Sequence, residues 1–283
     1  GVGAAMIVLS HFQIKPLFEA RKRGEVTAVT SPDLGLTSIQ VPVQSERIQF
    51  ADDASLSWED AEEITEQEVA CFALEGDTIR KIQAFSDVTN RHCSLMPTES
   101  APTILIAGFP MHRIKGTNPF HDTLTKIKAA NPTGRVLDTS MGLGYTAIQA
   151  AHTAEHVITI ELDPAVVDVA RQNPWSRELF ESPKIERRIA DSFDEVATFA
   201  PETFTRIIHD PPTMQLAGDL YSGEFYHALY RILKPNGRLF HYIGDLESPF
   251  GSRVAKGVID RLGKAGFRSV TRRNEAFGVV AVK

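Results

Sequence analysis

Four acidic residues in the second half of the chain each end or closely follow an apolar, strand-like run. They are Asp138, Glu161, Asp191 and Asp210. If these runs form parallel strands, their carboxyl ends meet at one edge of the sheet, which is where open α/β sheets bind ligands. We therefore expect the four carboxylates to surround a single ligand crevice.

The first of these acids opens a glycine-containing loop within the stretch VLDTSMGLGYTA (136–147). Glycines let the backbone approach a ligand, and the N-terminus of the following helix offers unpaired N–H groups. The loop also fits the dinucleotide pattern G-x-G-x-x-A. However, Asp138 would repel a pyrophosphate by roughly 1 to 4 kcal/mol, depending on screening. S-adenosylmethionine has no phosphate and carries an ammonium and a sulfonium, so it is the cofactor that we predict.

Over roughly residues 130–283 the sequence resembles the class I S-adenosylmethionine-dependent methyltransferases, whose first motif reads D-x-G-x-G-x-G. Ser140 stands in place of the first glycine of that motif. The resemblance implies that Glu161 accepts the ribose hydroxyls and that Asp191 faces the adenine amino group. The complete predicted cofactor site consists of Asp138, Ser140, Met141, Gly142, Gly144, Tyr145, Glu161, Leu162, Asp191, Ser192 and Asp210.

A second motif, IIHDPPT (207–213), follows the fourth strand-like run and resembles the [DNS]-P-P-[YFW] motif of methyltransferases that act on amino nitrogens. Hydrogen bonds from an amine to the Asp210 carboxylate and the Pro211 carbonyl would orient its lone pair and offset the charge that develops there. We therefore predict that Asp210 and Pro211 are catalytic. Thr213 replaces the aromatic residue of the motif, which weakens the inference of a nucleobase. We expect His209 to be a packed side chain because strand alternation points it away from Asp210.

Three hypotheses follow. The first is a methyltransferase acting on an amine-bearing substrate, with RNA as the first candidate. The alternative is an aminopropyl transferase or a small-amine methyltransferase, because LYSGEFYHALYRILKPNG (220–237) resembles the corresponding stretch of spermidine synthases. That family uses decarboxylated S-adenosylmethionine, but its glycine loop typically reads G-G-G-D-G, which residues 140–144 do not match. The third is a binding protein with a degenerate fold, which the intact set of acids disfavours.

The elements that must position these residues alternate between strand-like and helical patterns from residue 133 onward. We predict an α/β fold over 133–283, with a doubly wound, mostly parallel seven-stranded sheet. The last two strands are too closely spaced for a crossover, so the last strand is expected to be antiparallel. Residues 1–105 read as a smaller β-rich domain. In the connecting segment 106–132, the pattern predicts a helix that begins beyond Pro119 with Asp122 as its N-cap. Over residues 222–237 it predicts a helix that starts at Ser222 and ends in a turn at Pro235–Gly237.

Composition and net charge limit the classes of partner that we expect for this protein. The net charge of −6 provides no global attraction to nucleic acid. Cys71 and Cys93 lack metal-ligand spacing, so we predict reduced thiols in a cytoplasmic protein and no metal site. No apolar run approaches the roughly 18 residues of a membrane span. The opening segment GVGAAMIVL lacks a basic flank, so we expect no signal peptide.

Overall fold

In a computed structural model that describes residues 6–283, the chain forms two compact units. The first consists of the described part of Gly1–Phe120 together with Ala165–Glu178. The second consists of His121–Pro164 and Leu179–Lys283. The first five residues of the opening segment lie outside the described residues.

The first unit is rich in antiparallel strands, as the sequence predicts. Its strands are β1 (Ile7–Leu9), β2 (Thr27–Thr30), β3 (Ile39–Pro42), β4 (Arg47–Ala51), β5 (Ala54–Ser57), β6 (Phe72–Glu75), β7 (Thr78–Lys81), β8 (Gln83–Phe85), β9 (His92–Met96), β10 (Thr103–Ile106) and β11 (Phe109–Pro110). They pair in the orders β1-β6-β7, β11-β10-β9-β8, β2-β3 and β4-β5. Two helices, α1 (His11–Lys22) and α2 (Trp58–Glu66), pack with strands β1 to β7 around one apolar core.

The second unit contains the larger sheet. Its strands are β12 (Gly134–Asp138), β13 (Ala154–Glu161), β14 (Ile185–Ile189), β15 (Phe204–His209), β16 (Leu233–Tyr242), β17 (Ser269–Arg273) and β18 (Gly278–Val282). The remaining helices of the described chain are α3 (Pro119–Ala130), α4 (Tyr145–Ala151), α5 (Pro164–Arg171), α6 (Arg177–Glu181), α7 (Ser192–Val196), α8 (Gly223–Ile232) and α9 (Pro249–Ala265). Most of α5 and the first residues of α6 are counted in the first unit.

The strand order β14-β13-β12-β15-β16-β18-β17 confirms the predicted fold class. The strands β12 to β16 run parallel to one another, and β18 is antiparallel to both of its neighbours. Each central strand contains an apolar run whose consecutive side chains are buried, because both faces of the sheet are covered there. Their fully buried side chains include Leu137, Ile160, Ile207 and Leu239.

Two predicted helix boundaries are wrong. Helix α3 begins at Pro119 itself, so Asp122 lies in its first turn and is not the N-cap. Proline suits the first turn because its fixed φ is helical and its missing N–H has no intrahelical partner there. Helix α8 ends at Ile232, before the expected turn at Pro235, because Leu233 is already extended and pairs with Phe204.

The predicted start of α8 is confirmed. The Ser222 hydroxyl accepts a hydrogen bond from the Phe225 N–H and caps the helix. None of the helices in residues 6–283 has the length and apolar character that crossing a bilayer requires. Cys71 and Cys93 are both buried, and neither forms a disulfide bond.

Candidate active site

The ends of the parallel strands are level at one edge of the sheet. Asp138 pairs in register with Thr159 on β13 and with Ile208 on β15. Glu161 pairs with Ile189 on β14. The structure thus places the residues at and just beyond these strand ends at a common edge, as the sequence pattern predicts. Their roles toward a ligand stay predictions.

The glycine loop leaves β12 with its backbone held from both ends. The Met141 N–H donates to the Ile160 carbonyl at 2.8 Å, and the Gly144 N–H donates to the Met141 carbonyl at 2.8 Å. Ser140 is not among the residues with a positive φ, so a serine can replace the motif's glycine without backbone strain.

The two glycines of the loop have different structural roles. Gly142 and Gly144 have left-handed backbones, with φ of 54° and 85°. A Cβ on Gly144 would lie 2.5 Å from the Leu179 side chain, whereas a Cβ on Gly142 would meet no atom within 4 Å. Gly144 is therefore needed to pack the fold. Gly142 leaves an open cradle at the loop.

Glu161 ties this cradle to the end of β13. One of its oxygens accepts from the Gly142 N–H at 3.0 Å, and the other accepts from the Asp163 N–H at 3.1 Å. Burial raises the pKa of Glu161 to about 7. The next residue, Leu162, is 46% exposed and offers an apolar surface beside the carboxylate.

At the end of β14 the structure shows a helix cap. The Asp191 carboxylate accepts from the Phe193 N–H at 2.9 Å and begins α7. The hydroxyl of Ser192 is buried and donates to the carbonyl of Thr139, which links α7 to the glycine loop. A cap occupies one Asp191 oxygen, and the side chain remains partly exposed. Contact with adenine stays a prediction for this residue.

The Asp-Pro-Pro turn that follows β15 is held in place by burial of one proline and by a hydrogen bond to the other. Pro211 is buried, and the Tyr221 hydroxyl donates to the Pro212 carbonyl at 2.9 Å. Thr213 is exposed, so no aromatic face stands at the position where the motif would place one. The turn is rigid, and Asp210 stands at its start.

Lys126 on α3 is the site residue that the sequence interpretation missed. Its ammonium donates to the Asp210 carboxylate, with Nζ 2.7 Å from Oδ2. The same Nζ lies 3.1 Å from Oδ2 of Asp122. Its nitrogen also lies 4.4 Å from the centre of the Tyr242 ring. Burial alone would lower the pKa of Lys126, but the two carboxylates outweigh it and the net shift is upward.

A signal for Lys126 was present in the sequence. The buried positions of α3 include Asp122, Thr123, Lys126 and Ala130, which recur at helical spacing. A lysine on the inward stripe of a helix, four residues after an aspartate, predicts a buried ion pair.

His209 is packed, as predicted. Its Nδ1 lies 2.6 Å from the Thr139 hydroxyl and its Nε2 lies 2.7 Å from the Leu220 carbonyl. Because a carbonyl only accepts, Nε2 carries the proton and Nδ1 accepts from the hydroxyl. Burial lowers the pKa of His209 to about 4, so the ring stays neutral. It links the start of the glycine loop to Leu220, in the segment between β15 and α8.

The carboxylate of Asp138 is fully buried, which changes the electrostatic argument made from the sequence. Its oxygens accept from the Thr159 hydroxyl at 2.7 Å and from the Ser140 N–H at 3.5 Å. Burial raises the pKa of Asp138 to about 7, and the hydrogen bond from Thr159 only partly opposes this effect. Near neutral pH the group is thus partly protonated. A cationic ligand would favour its ionised form.

This burial predicts a pH-dependent stability difference. Between about pH 4 and 7 the folded state binds more protons at Asp138 than the unfolded state does, so its contribution to stability falls as pH rises. In the Asp138→Asn variant this loss is absent. We expect its free energy of unfolding, relative to wild type, to rise between pH 5 and pH 8 by on the order of 2 to 4 kcal/mol.

Urea unfolding at several pH values measures this difference. Asp168→Asn, at an exposed position of α5, is the matched control and should show no such trend. A difference for Asp138→Asn that stays flat from pH 5 to 8 would contradict the prediction.

The site fits a nucleoside with a cationic sulfonium. The open space over Gly142 is where a side chain would obstruct a ligand, and exposed Leu162 supplies an apolar face for a base or sugar. Glu161 and Asp191 supply carboxylates for hydroxyl and amino groups. In the described part of the chain, no group of three or more acidic, histidine or cysteine side chains is arranged to hold a metal ion.

These features define a Rossmann-like α/β unit with a glycine loop and several acidic side chains at the carboxyl edge of its sheet. Residues 141–268 match the family model of the spermine/spermidine synthase domain. The fold is that of the spermidine synthase from Thermotoga maritima, with a TM-score of 0.55 and 18% identity over 73% of this chain and 75% of that one.

The chain belongs to the same family as the uncharacterized protein MJ1233 of Methanocaldococcus jannaschii. The two are 50% identical over 197 residues, which are 69% of this chain and 68% of that protein. The chain is also 28% identical over 146 residues to polyamine aminopropyltransferase 2 of Streptomyces coelicolor, where the match covers 48% of this chain and 26% of that protein. These similarities favour the spermidine synthase-like interpretation over the methyltransferase interpretation.

Proposed function

We propose that this protein transfers an aminopropyl group from decarboxylated S-adenosylmethionine to an amine. The observation that carries the proposal is the spermine/spermidine synthase match over residues 141–268. The matched region contains the Gly142 cradle, Glu161, Asp191 and Asp210, whose strands end at one edge of the sheet. Residues at or just beyond the ends of four adjacent strands thus lie within the matched region, which supports the proposal.

The proposed roles follow from the geometry. When bound, the nucleoside supplies a sulfonium-activated carbon, so that a C–N bond forms as the C–S bond breaks and a neutral thioether leaves. Glu161, Asp191 and the glycine loop hold the nucleoside. Asp210 accepts an N–H hydrogen bond from the acceptor amine, which aims the lone pair and offsets the positive charge that develops on nitrogen. The attacking amine loses its ammonium proton to solvent before transfer, because a protonated nitrogen has no lone pair, and the new C–N bond leaves the product nitrogen positively charged.

Methyl transfer from S-adenosylmethionine is the second candidate, and one observation favours it. Leu143 occupies the loop position where spermidine synthases typically carry an aspartate, and its side chain is buried. The loop therefore lacks the additional carboxylate that a decarboxylated, more cationic nucleoside would meet. Under this second candidate, RNA stays a predicted acceptor.

Calorimetry with the two nucleosides separates the candidates. We expect decarboxylated S-adenosylmethionine to bind at least about tenfold more tightly than S-adenosylmethionine, which corresponds to about 1.4 kcal/mol. Incubation with 1,4-diaminobutane should then yield a product heavier by one aminopropyl group in mass spectrometry.

The reverse preference, with methyl transfer to an amine, would replace the proposal by its second candidate. Binding of neither nucleoside would indicate a binding protein with this fold.

A further inference from the structure

The C-terminal part of the chain carries an unbalanced positive charge. Between Arg253 and Arg273 there are seven basic residues and one acidic residue, although the whole chain has a net charge of −6. These basic residues lie on helix α9, on the edge strand β17 and in the turn that joins them. Arg261 points inward, where its Nε donates to the Tyr221 carbonyl at 2.8 Å. Of the other six, five are exposed and Arg273 is partly buried.

Three of the exposed basic residues form a stripe along α9. Arg253, Lys256 and Lys264 lie within about 80° of one another around the helix axis, since each residue turns the helix by about 100°. The buried positions Val258 and Leu262 lie on the opposite side of the helix. We call the three basic residues the basic stripe. It extends over about 17 Å along the helix axis.

An exposed aromatic ring lies at one end of the basic stripe. Phe250, in the first turn of α9, is 61% exposed and lies within about 60° of Arg253 around the helix axis. Because α9 follows β16, its first turn is near the carboxyl edge of the sheet, where Asp210 follows the neighbouring strand β15. The basic stripe thus begins near the edge of the candidate active site.

Strand β17 adds a further positive charge on the same face of the sheet. Val270 packs in the same apolar cluster as Val258 and Leu262 of α9, so it faces that helix. Arg272 lies two residues later and therefore on the same face. Since β17 and β16 are both antiparallel to β18, they run parallel to each other. Arg272 is consequently near the carboxyl end of β17, at the edge where α9 begins.

Most of these cations have no partner within the described chain. The Lys264 ammonium pairs with Asp260 at 2.9 Å. The side chains of Arg253, Lys256 and Arg272, by contrast, form no hydrogen bond or ion pair with any described residue. Exposed helices that are simply solvated often alternate charges of both signs. Protection of a sheet edge explains a basic residue on β17, but it does not explain those on α9.

We propose that the basic stripe, together with Phe250 and Arg272, binds single-stranded RNA. Its length of about 17 Å matches about five nucleotides of a stacked strand at about 3.4 Å each. The ring of Phe250 offers a stacking face for an unpaired base, and unpaired bases occur in the loops and ends of folded RNA. A small anion would need donors that converge on one point, whereas these cations are spread along an open surface. The inference does not depend on which group the protein transfers.

The net negative charge of the whole chain does not prevent this binding. At physiological ionic strength the Debye length is about 8 Å, so exposed charges at greater distances are largely screened. A strand that lies along the basic stripe therefore interacts mainly with the cations beneath it. The sequence-level argument that the chain provides no global attraction to nucleic acid concerns its net charge and leaves such a local site open.

Fluorescence anisotropy with a labelled 12-nucleotide oligouridine, without any nucleoside ligand, tests the proposal. Contacts with three or four phosphates predict a slope of about −2 to −3 for the logarithm of the association constant against that of the salt concentration. Arg253→Gln/Lys256→Gln should lower the affinity by about tenfold or more at low salt and make the slope shallower by about 1.4. Phe250→Ala should weaken binding by about tenfold and leave the slope unchanged, because stacking releases no counterions.

Lys128→Gln/Lys234→Gln is the matched control, because it removes the same charge at two exposed positions of the same unit outside the basic stripe. It should leave the affinity within about threefold of wild type, since distant exposed charges are screened. Failure of the wild-type protein to bind the oligouridine would overturn the proposal. A loss in the control as large as that in the Arg253→Gln/Lys256→Gln variant would do the same.

Association between two copies of the chain is the competing outcome. Helix α2 carries exposed acidic residues whose charge is complementary to that of the basic stripe, namely Glu59, Glu62, Glu63 and Glu66. Analytical ultracentrifugation of the wild type and of Arg253→Glu/Lys256→Glu, without RNA, measures such association. The proposal expects the same mass for both proteins. A wild-type assembly that the variant loses would assign the basic stripe to contacts between copies, and the RNA proposal would be wrong.

Discussion

Replacing Asp210 by asparagine should lower the turnover of amine transfer by about 10² to 10³-fold, the usual effect of removing one group that stabilises developing charge. The substitution preserves shape but removes the charge that faces the acceptor nitrogen. Nucleoside affinity should stay within about tenfold of wild type, because the cradle and Glu161 are untouched. Steady-state kinetics and calorimetry measure the two quantities separately.

Asp219→Asn is the matched control for this prediction, since Asp219 is an exposed aspartate in the same segment between β15 and α8. It should leave turnover and affinity unchanged. Full turnover in the Asp210→Asn variant would remove this residue from the mechanism, whichever group is transferred.

The two loop glycines should lose stability to different extents when replaced by alanine. In Gly144→Ala the new Cβ would lie 2.5 Å from Leu179 on a left-handed backbone. We expect a loss of about 2 to 4 kcal/mol in the free energy of unfolding, from overpacking and backbone strain together. Gly142→Ala places its Cβ in open space and should cost only about 1 to 2 kcal/mol of backbone strain.

Nucleoside affinity, in contrast to stability, should be strongly affected by the Gly142→Ala substitution. Its new methyl group would occupy the cradle, so we expect nucleoside affinity to fall by about tenfold or more, equivalent to at least about 1.4 kcal/mol. Gly263→Ala in α9, where a Cβ meets no atom within 4 Å, is the control for both measurements. Urea unfolding of the variants measures the stability losses, and calorimetry measures the nucleoside affinities. Equal stability losses at Gly142 and Gly144 would contradict the assignment.

The sheet and the strand-end acids were predictable because both follow from short-range patterns. Apolar runs at regular spacing define the parallel strands, and a residue that follows such a run must lie at the sheet edge. The close spacing of β17 and β18 likewise required an antiparallel pair. The confirmed fold class follows from these local features.

The ionisation of the acids and the contact between Lys126 and Asp210 were not predictable in this way. The ionisation of Asp138 depends on complete burial beneath the loop, which is a tertiary property. The contact between Lys126 and Asp210 joins residues 84 positions apart, and nothing in the sequence near either one marks the other. The start of α3 at Pro119 and the end of α8 at Ile232 were local errors, where a proline at a first helical turn and an early strand pairing were overlooked.

The antiparallel position of β18 has a consequence for synthesis on the ribosome. Strand β16 pairs with β18 and not with β17, although β17 is translated first. In the nascent chain, therefore, one edge of β16 stays open until residues 278–282 have emerged. An open strand edge is a template for pairing with other chains. Between the emergence of Tyr242 and that of Gly278, the newly made sheet is thus most exposed to pairing with other chains.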